Sequence, residues 1–263
     1  MSHKYLARED APVSAETWEK LDSTMIDAAR TILAGRRLIH VEGPYGLGMK
    51  ALPLPASARE GFFTASMIPF TLIEKTFTLS KWDLAASEQA GVSLDTTEVY
   101  KAAKEAALME DRVIFKGVDG SSGLLDLDGT TRMQLSPWDH VGKAAEEIVT
   151  AVTLLDQAGF HGPYSLALTP SRYNLLFRSY PMTAFTEMEH VGSIATEGVC
   201  KAPALEAGAI LVASSRQFAT IVIGQDMQIG FIGPEEGDRL LFSMSESLAL
   251  RVLQPGSFCI LGE

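Results

Sequence analysis

The chain has 263 residues, of which 46% are hydrophobic and 21% charged, so it can bury a core and is not expected to be disordered. Its 22 basic and 33 acidic residues give a net charge of −11, and a surface this acidic excludes nucleic acid as a general partner. No apolar run approaches the roughly 20 residues of a membrane span, and residues 1–12 lack a signal-peptide pattern, so we expect a soluble, cytoplasmic protein.

Spacing of apolar residues by three and four predicts the first helix over residues 14–33, with Ser14 as its cap and Gly35 beyond its end. Residues 39–41 are expected to be extended. The glycine-rich stretch 43–48 interrupts regular structure, and Pro44 removes a backbone N–H that a phosphate loop would need.

Residues 49–80 are interrupted by prolines and contain neither a helical pattern nor enough turn signals to pack on themselves. We predict a long, mostly extended arm with two strand-like parts, residues 70–73 and 77–79. Its apolar side chains would then need another surface to cover them. These side chains are Leu52, Leu54, Phe62, Phe63 and Ile68.

An alanine-rich helix is predicted from Asp95 or Thr96 to Met109, followed by a strand at residues 113–115. The Ser136-Pro137 pair predicts the start of a third helix that ends at Gly159. Strands are expected at residues 164–168 and 210–212, with a short helix after Thr169-Pro170. The chain from Phe218 onward is strand-like, so the whole pattern indicates an α+β protein.

The residue types that usually carry chemistry are scattered. Cys200 and Cys259 are not in a CxxC pair, and the five histidines have no metal-binding spacing. Residues 120–123 lack the register of a nucleophile elbow. We therefore expect no catalytic and no metal site, and the long arm favours an architectural protein over an enzyme.

Several strings occur in the order found in one family. They are residues 11–13 with Trp18 and Asp22, residues 35–39 and 41–46, residues 76–79 with Trp82, residues 110–111 with 113–115 and Gly117, residues 162–164, and residues 224–226 with 229–231. On these strings the chain resembles the family 1 encapsulins, bacterial and archaeal shell proteins with the capsid fold of tailed phages. The match spans nearly the whole chain.

The resemblance implies the HK97 phage-capsid-like fold, an α+β fold with a peripheral domain, an axial domain and an extension loop. Residues 1–44 would hold the N-terminal helix and the start of the peripheral domain, and residues 45–77 would form the extension loop. Residues 78–120 would continue the peripheral domain, residues 121–220 would form the axial domain, and residues 221–263 would supply the C-terminal strands of the peripheral domain.

In function, the resemblance implies a shell subunit that is not itself an enzyme. About 60 copies (T=1) would close into an icosahedral nanocompartment. The shell would hold a cargo enzyme, either a ferritin-like iron-storage protein or a dye-decolorising peroxidase, through a short C-terminal peptide of the cargo. Two alternatives stay open, a phage major capsid protein and, in another class, a soluble hydrolase or bacteriocin-like protein.

The resemblance also assigns residues. The positions that match a cargo-peptide site are Leu33, Arg36, Ile39, His40, Ile229 and Phe231. The positions that match a loop around a five-fold pore are Tyr180, Glu187, Glu189 and His190. Some relatives stack a flavin on the tryptophan that corresponds to Trp82, but the nearby Glu74 would repel a phosphate unless Lys75 offsets it, so no cofactor is expected here.

Overall fold

The computed structural model describes residues 5–54, 57–59 and 62–262. The helices are α1 (Ala15–Arg30), α2 (Gly35–Leu38), α3 (Lys81–Ala90), α4 (Thr97–Lys116), α5 (Lys143–Gln157), α6 (Pro170–Leu175) and α7 (Glu187–Ile194). The strands are β1 (His40–Glu42), β2 (Ala51–Pro53), β3 (Ser57–Arg59), β4 (Phe62–Thr64), β5 (Met67–Pro69), β6 (Thr71–Ser80), β7 (Gly117–Val118), β8 (Ser121–Ser122), β9 (Thr131–Gln134), β10 (Tyr164–Leu168), β11 (Gly198–Lys201), β12 (Ala209–Ala213), β13 (Ala219–Glu235), β14 (Arg239–Val252) and β15 (Phe258–Gly262).

The chain divides into two compact units. The first unit comprises Met1–Ile32, Gly43–Glu110 and Ile223–Ala249, and the second comprises Leu33–Glu42, Asp111–Val222 and Leu250–Glu263. These boundaries differ from the predicted domains, because residues 33–42, 111–120 and 250–263 also belong to the second unit. Strand β15 pairs with β12 and β9 in the sheet of the second unit, whereas the sequence grouped it with the other late strands.

The first unit is built on the long strand β14, which lies between β13 and β6. Strand β6 runs antiparallel to β14, from Thr71 opposite Leu248 to Ser80 opposite Arg239. Helix α1 covers this sheet, and the Trp18 ring meets the Phe242 ring edge-on with centroids 5.7 Å apart. The first predicted helix is thereby confirmed, although it ends at Arg30 rather than near residue 33.

The predicted cap of α1 is also confirmed, because the Ser14 hydroxyl accepts a hydrogen bond from the Thr17 amide at 3.2 Å. Glu88 on α3 strengthens this end by accepting from the Ser14 amide at 2.7 Å and the Thr17 hydroxyl at 2.8 Å. The same hydrogen bonds lower the pKa of Glu88. Helix α3 itself was missed from the sequence, although Ser80 caps it and Gly91 ends it in the left-handed conformation.

The second unit contains a five-stranded sheet with the order β11-β10-β12-β15-β9. Strand β12 is antiparallel to both β10 and β15, whereas β11 and β9 run parallel to their neighbours. Ile148 and Leu155 of α5 are fully buried and share one core with Leu166 and Leu211 of the sheet. The strands predicted at residues 164–168 and 210–212 are confirmed, and both β10 and β12 are buried on both faces.

Two helix boundaries differ from the prediction. Residues 113–115 belong to α4 rather than to a strand, since Val113, Ile114 and Phe115 continue the buried stripe of that helix until Gly117 ends it with φ +77°. Helix α5 begins at Lys143 rather than at Pro137, and residues 135–142 before it are irregular.

Buried carboxylates replace the predicted cap in this irregular segment. Glu147 accepts hydrogen bonds from the Ser136 amide and hydroxyl and from the Trp138 indole N–H, at 2.6–3.1 Å. Glu187, at the start of α7, accepts from the amides of Gly142 and Ala144, both at 2.9 Å. The negative charge of Glu187 therefore lies at the positive end of α5 and satisfies amides that the helix leaves unpaired.

The predicted arm forms two short ribbons. Strand β2 pairs with β5, placing Leu52 opposite Ile68, and β3 pairs with β4. Leu52 is buried and Leu54 and Ile68 are half-buried, but Phe62 keeps 76% of its surface exposed. Residues 55–56 and 60–61 and the side chain of Phe63 lie outside the described part of the chain.

We predict that Glu187→Gln lowers the free energy of unfolding by about 2 kcal/mol, because it removes a buried charge that accepts several hydrogen bonds. Glu189→Gln is the matched control. The exposed Glu189 forms a capping box with Thr186, which a glutamine also completes, so its effect stays within about 0.5 kcal/mol. Thermal unfolding of both variants measures this, and equal midpoints would contradict the assigned role of Glu187.

Candidate functional site

Four of the residues predicted to bind cargo lie in the second unit, on the short stretch from Leu33 to His40. Leu33 and Ile39 are buried, with 9% and 6% of their surfaces exposed, whereas Arg36 and His40 are half-buried. His40 begins β1 and lies opposite Thr220 in a parallel pair. The exposed groups of this stretch are therefore the cationic and imidazole side chains, while the two aliphatic ones pack inside.

A buried carboxylate fixes the backbone of this stretch. Asp111 of α4 is fully buried and accepts hydrogen bonds from the amides of Ala34 and Gly35. These amides are the first donors of α2, so Asp111 caps that single-turn helix from outside its own sequence. Gly35 packs closely here, because a Cβ at this position would lie 2.5 Å from Cδ1 of Ile114 and that side chain would have to shift.

The other two predicted cargo residues, Ile229 and Phe231, lie on β13 in the first unit. Ile229 is fully buried, and its carbonyl accepts a hydrogen bond from Nε of Arg8 at 2.7 Å. Phe231 is half-buried, its amide donates to the Leu6 carbonyl at 2.8 Å, and its ring meets that of Phe242 with centroids 5.5 Å apart. Of the two, Phe231 has the surface that a ligand could contact.

The predicted pore residues lie in and after a tight loop of the second unit. The Tyr180 amide donates to the Phe185 carbonyl at 2.9 Å, which closes the loop, and Met182 at its tip is fully exposed with φ +62°. The Tyr180 hydroxyl lies 2.7 Å from Nδ1 of His190 on α7. Burial and the charge of Glu187 raise the pKa of Tyr180, so its hydroxyl stays protonated.

The two predicted pore glutamates have different environments. Glu187 is fully buried on the amides before α5 and lies 3.2 Å from an Arg178 nitrogen, so it has no surface in this chain with which to line a channel. Its assignment as a lining residue is corrected to that of a helix cap. Glu189 is exposed, and hydrogen bonds from the Thr186 amide and hydroxyl lower its pKa, which keeps its charge at neutral pH.

Trp82 lies on the first turn of α3 in the first unit, with 78% of its surface exposed. It borders a shallow depression of about 400 Å³ that Ala85, Ala86 and Gln89 also line. Lys81 and Asp238 are the charged residues of this depression, and their Nζ and Oδ1 atoms lie 3.7 Å apart. Lys75 lies 2.9 Å from Glu105, so its charge is already engaged.

The described residues lack several features typical of enzymes and membrane proteins. Within the described ranges, His, Cys, Asp and Glu side chains do not gather in a group that could hold a metal ion. Burial raises the pKa of Cys200 to about 12 and that of Cys259 to about 11, so neither is a thiolate nucleophile at neutral pH. In the same part of the chain, every helix is too short or too polar to cross a bilayer.

Sequence reasoning missed the role of Asp111. In the sequence, Asp111 stands out only as part of the string 110–111 that the chain shares with the resembled family. A physical signal was nevertheless present, because Glu110 and Asp111 interrupt the buried, apolar face of α4. Charged residues on a buried helix face indicate a polar partner, although the sequence does not say which one.

Comparison with known proteins shows the family of the chain. The family model described as encapsulating protein for peroxidase matches residues 3–249. The type 1 encapsulin shell protein EncA of Myxococcus xanthus is 29% identical over 277 residues, covering 98% of this chain and 96% of that protein. The type 1 encapsulin shell protein of Mycobacterium tuberculosis is 26% identical over 260 residues, covering 92% and 93%.

Solved structures confirm the fold. A chain of the virus-like particle from Pyrococcus furiosus superposes with a TM-score of 0.74 at 22% identity, covering 94% of this chain and 100% of that one. The capsid of Myoviridae phage XM1 gives a TM-score of 0.60 at 14% identity, covering 85% and 89%. At these identities the likeness shows the fold alone. The phage capsids therefore support the HK97-like architecture and carry no information about whether the chain comes from a phage. Because the family model spans nearly the whole sequence, the chain belongs to the family 1 encapsulin shell proteins.

Proposed function

We propose that this shell subunit, which is not an enzyme, assembles with about 60 copies of itself (T=1) into a closed icosahedral particle in the cytoplasm. The particle holds a cargo protein by a short C-terminal peptide of that cargo. The family description favours a peroxidase, and a ferritin-like iron-storage protein is the second cargo class. The two buried, unpaired thiols suit a reducing compartment.

The observation that carries the assembly proposal is the arm, which consists of the ribbons β2 with β5 and β3 with β4. A two-stranded ribbon is marginal by itself in water. Here the ribbons also expose Phe62 and Met67, with 76% and 64% of their surfaces open. A neighbouring subunit that covers these side chains would gain about 25 cal/mol per Å² of apolar area, and the gain repeats at every copy of the contact.

Deleting residues 52–66 is therefore expected to leave small oligomers in place of shells, because the apolar ribbon surface is lost. Dynamic light scattering measures particle size, and negative-stain microscopy shows whether the particles are closed. Intact shells formed by the deletion variant would contradict the role of the arm. A monomeric wild-type chain would contradict assembly itself. It would favour the alternative of a soluble hydrolase or bacteriocin-like protein.

Cargo capture is proposed for the predicted positions that keep exposed surface. Arg36 can donate to a carbonyl or carboxylate of the cargo tail, and the half-buried imidazole of His40 lies on the same stretch. In the first unit, Phe231 offers part of an aromatic face. The two surfaces are proposed separately, and each has its own variant.

Arg36→Ala is expected to lower the ratio of cargo to shell subunits by about tenfold, since it removes a charge-assisted hydrogen bond. Arg216→Ala, another arginine of the second unit with an exposed side chain, is the control and keeps the wild-type ratio. The probe is the protein that co-purifies inside native shells, co-expressed with each variant and quantified on denaturing gels.

Phe231→Asp tests the surface of the first unit with the same co-purification. If Phe231 binds cargo, the variant forms shells that lack cargo. If Phe231 only packs against the sheet, the variant forms no shells, because the new carboxylate would lie beside Phe242. Wild-type cargo in intact Phe231→Asp shells would remove this residue from the site.

The loop from Tyr180 to His190 is proposed to surround the five-fold axis. Five-fold symmetry would bring five copies of Glu189 into one ring, and such a ring favours cations over anions. With Glu187 buried, the proposal rests on the exposed carboxylate of Glu189 and on the exposed loop tip at Met182.

We expect purified shells to carry no flavin, although Trp82 is exposed enough to stack on one. The charged groups that border its depression, Lys81 and Asp238, have opposite signs and lie close enough to pair, which leaves no cationic excess for a phosphate. Absorbance of purified shells near 450 nm, where a flavin would contribute, measures this. A flavin band that disappears in Trp82→Ala shells would overturn the expectation.

A further inference from the structure

We propose that Asp111 is a positioning residue for cargo capture, which acts by holding the backbone from which Arg36 and His40 project. This inference rests on the proposed cargo role of that stretch. Asp111 itself is fully buried, so it cannot touch the cargo. Asp111 would act on cargo binding indirectly, by fixing the backbone of the short helix α2.

The contacts between Asp111 and α2 are short and distributed over both carboxylate oxygens. Oδ2 accepts from the Ala34 amide at 2.9 Å, and Oδ1 accepts from the Gly35 amide at 2.9 Å and from the Ala34 amide at 3.1 Å. The next residue along the chain is Arg36. The carboxylate therefore fixes the amides of the two residues that come directly before the proposed cargo contact.

Packing around the same two residues leaves them little freedom. Ala34 is fully buried, Leu38 is 1% exposed, and the Cys200 thiol lies 3.8 Å from the Ala34 carbonyl. Gly35 approaches Ile114 so closely that a Cβ would not fit without a shift of that side chain. One face of α2 is thus held against α4. The remaining residues of the turn, Arg36 and Arg37, keep exposed surface.

Helix α2 has four residues, and helices this short are not stable in water by themselves. The hydrogen bonds to Asp111, together with the burial of Ala34 and Leu38, therefore keep the turn formed before any cargo arrives. A pre-formed site does not have to be ordered by its ligand, and this raises affinity. Without the carboxylate, the cargo tail would have to order residues 33–40 as it binds.

The decisive variant is Asp111→Asn, which keeps the size of the side chain. If its oxygen keeps the Oδ1 contacts, its NH₂ group then faces the Ala34 N–H, so a donor meets a donor. The matched control is Glu187→Gln, which also neutralises a buried carboxylate that accepts from backbone amides in the second unit, but at α5. Both variants are co-expressed with the protein that co-purifies inside native shells.

We expect Asp111→Asn shells to form but to hold about tenfold less cargo per subunit, while Glu187→Gln shells keep the wild-type ratio. A wild-type ratio in Asp111→Asn shells would overturn the inference, and so would an equal loss in both variants, since that indicates general destabilisation. If Arg36→Ala also leaves the ratio unchanged, the cargo site itself is misplaced, which separates the two failures.

If Asp111→Asn does not give soluble shells, hydrogen exchange on wild-type shells without cargo decides the question. Slow exchange of the Ala34 and Gly35 amides in empty shells supports a stretch that is held before cargo binds. Fast exchange that slows only after cargo loading would overturn the inference, because the cargo and not Asp111 would then order the turn.

Discussion

The second unit depends on buried carboxylates that accept hydrogen bonds from backbone amides. Burying a negative charge is costly unless several donors surround it, and the free amides at a helix start are such donors. Asp111 serves the amides of α2, and Glu187 serves those before and in the first turn of α5. In both places the carboxylate comes from a distant part of the chain, so each contact forms only when the tertiary fold is complete.

A shell subunit has to keep rigid surfaces for its neighbours and for its cargo. The buried carboxylates provide such rigidity where the chain is irregular or a helix is very short. The large exposed side chains lie elsewhere, on the arm at Phe62, on α3 at Trp82 and on a loop tip at Met182. Aromatic and methionine side chains are enriched at protein–protein interfaces, so these three positions fit the assembly proposed above.

Two corrected assignments involve a helix cap. Neighbouring residues alone predicted a helix start at Ser136-Pro137, and the family resemblance placed a pore carboxylate at Glu187. In the structure Glu147 binds Ser136 and Trp138, while Glu187 caps α5 some forty positions before it in sequence. Local rules for helix caps assume that the cap is local, and here it is not.

The sequence by itself determined the α+β class, the cap of α1 at Ser14, the existence of strands β10 and β12, and the presence of an arm. Each of these follows from local periodicity, capping or proline placement. The order of strings such as residues 41–46 also determined the family. Only the tertiary structure decided that residues 113–115 continue α4, that β15 joins the second unit, and that Asp111 holds Ala34 and Gly35. These features depend on contacts between residues far apart in the chain, and local patterns carry no information about which distant partner a buried charge or an apolar run will meet.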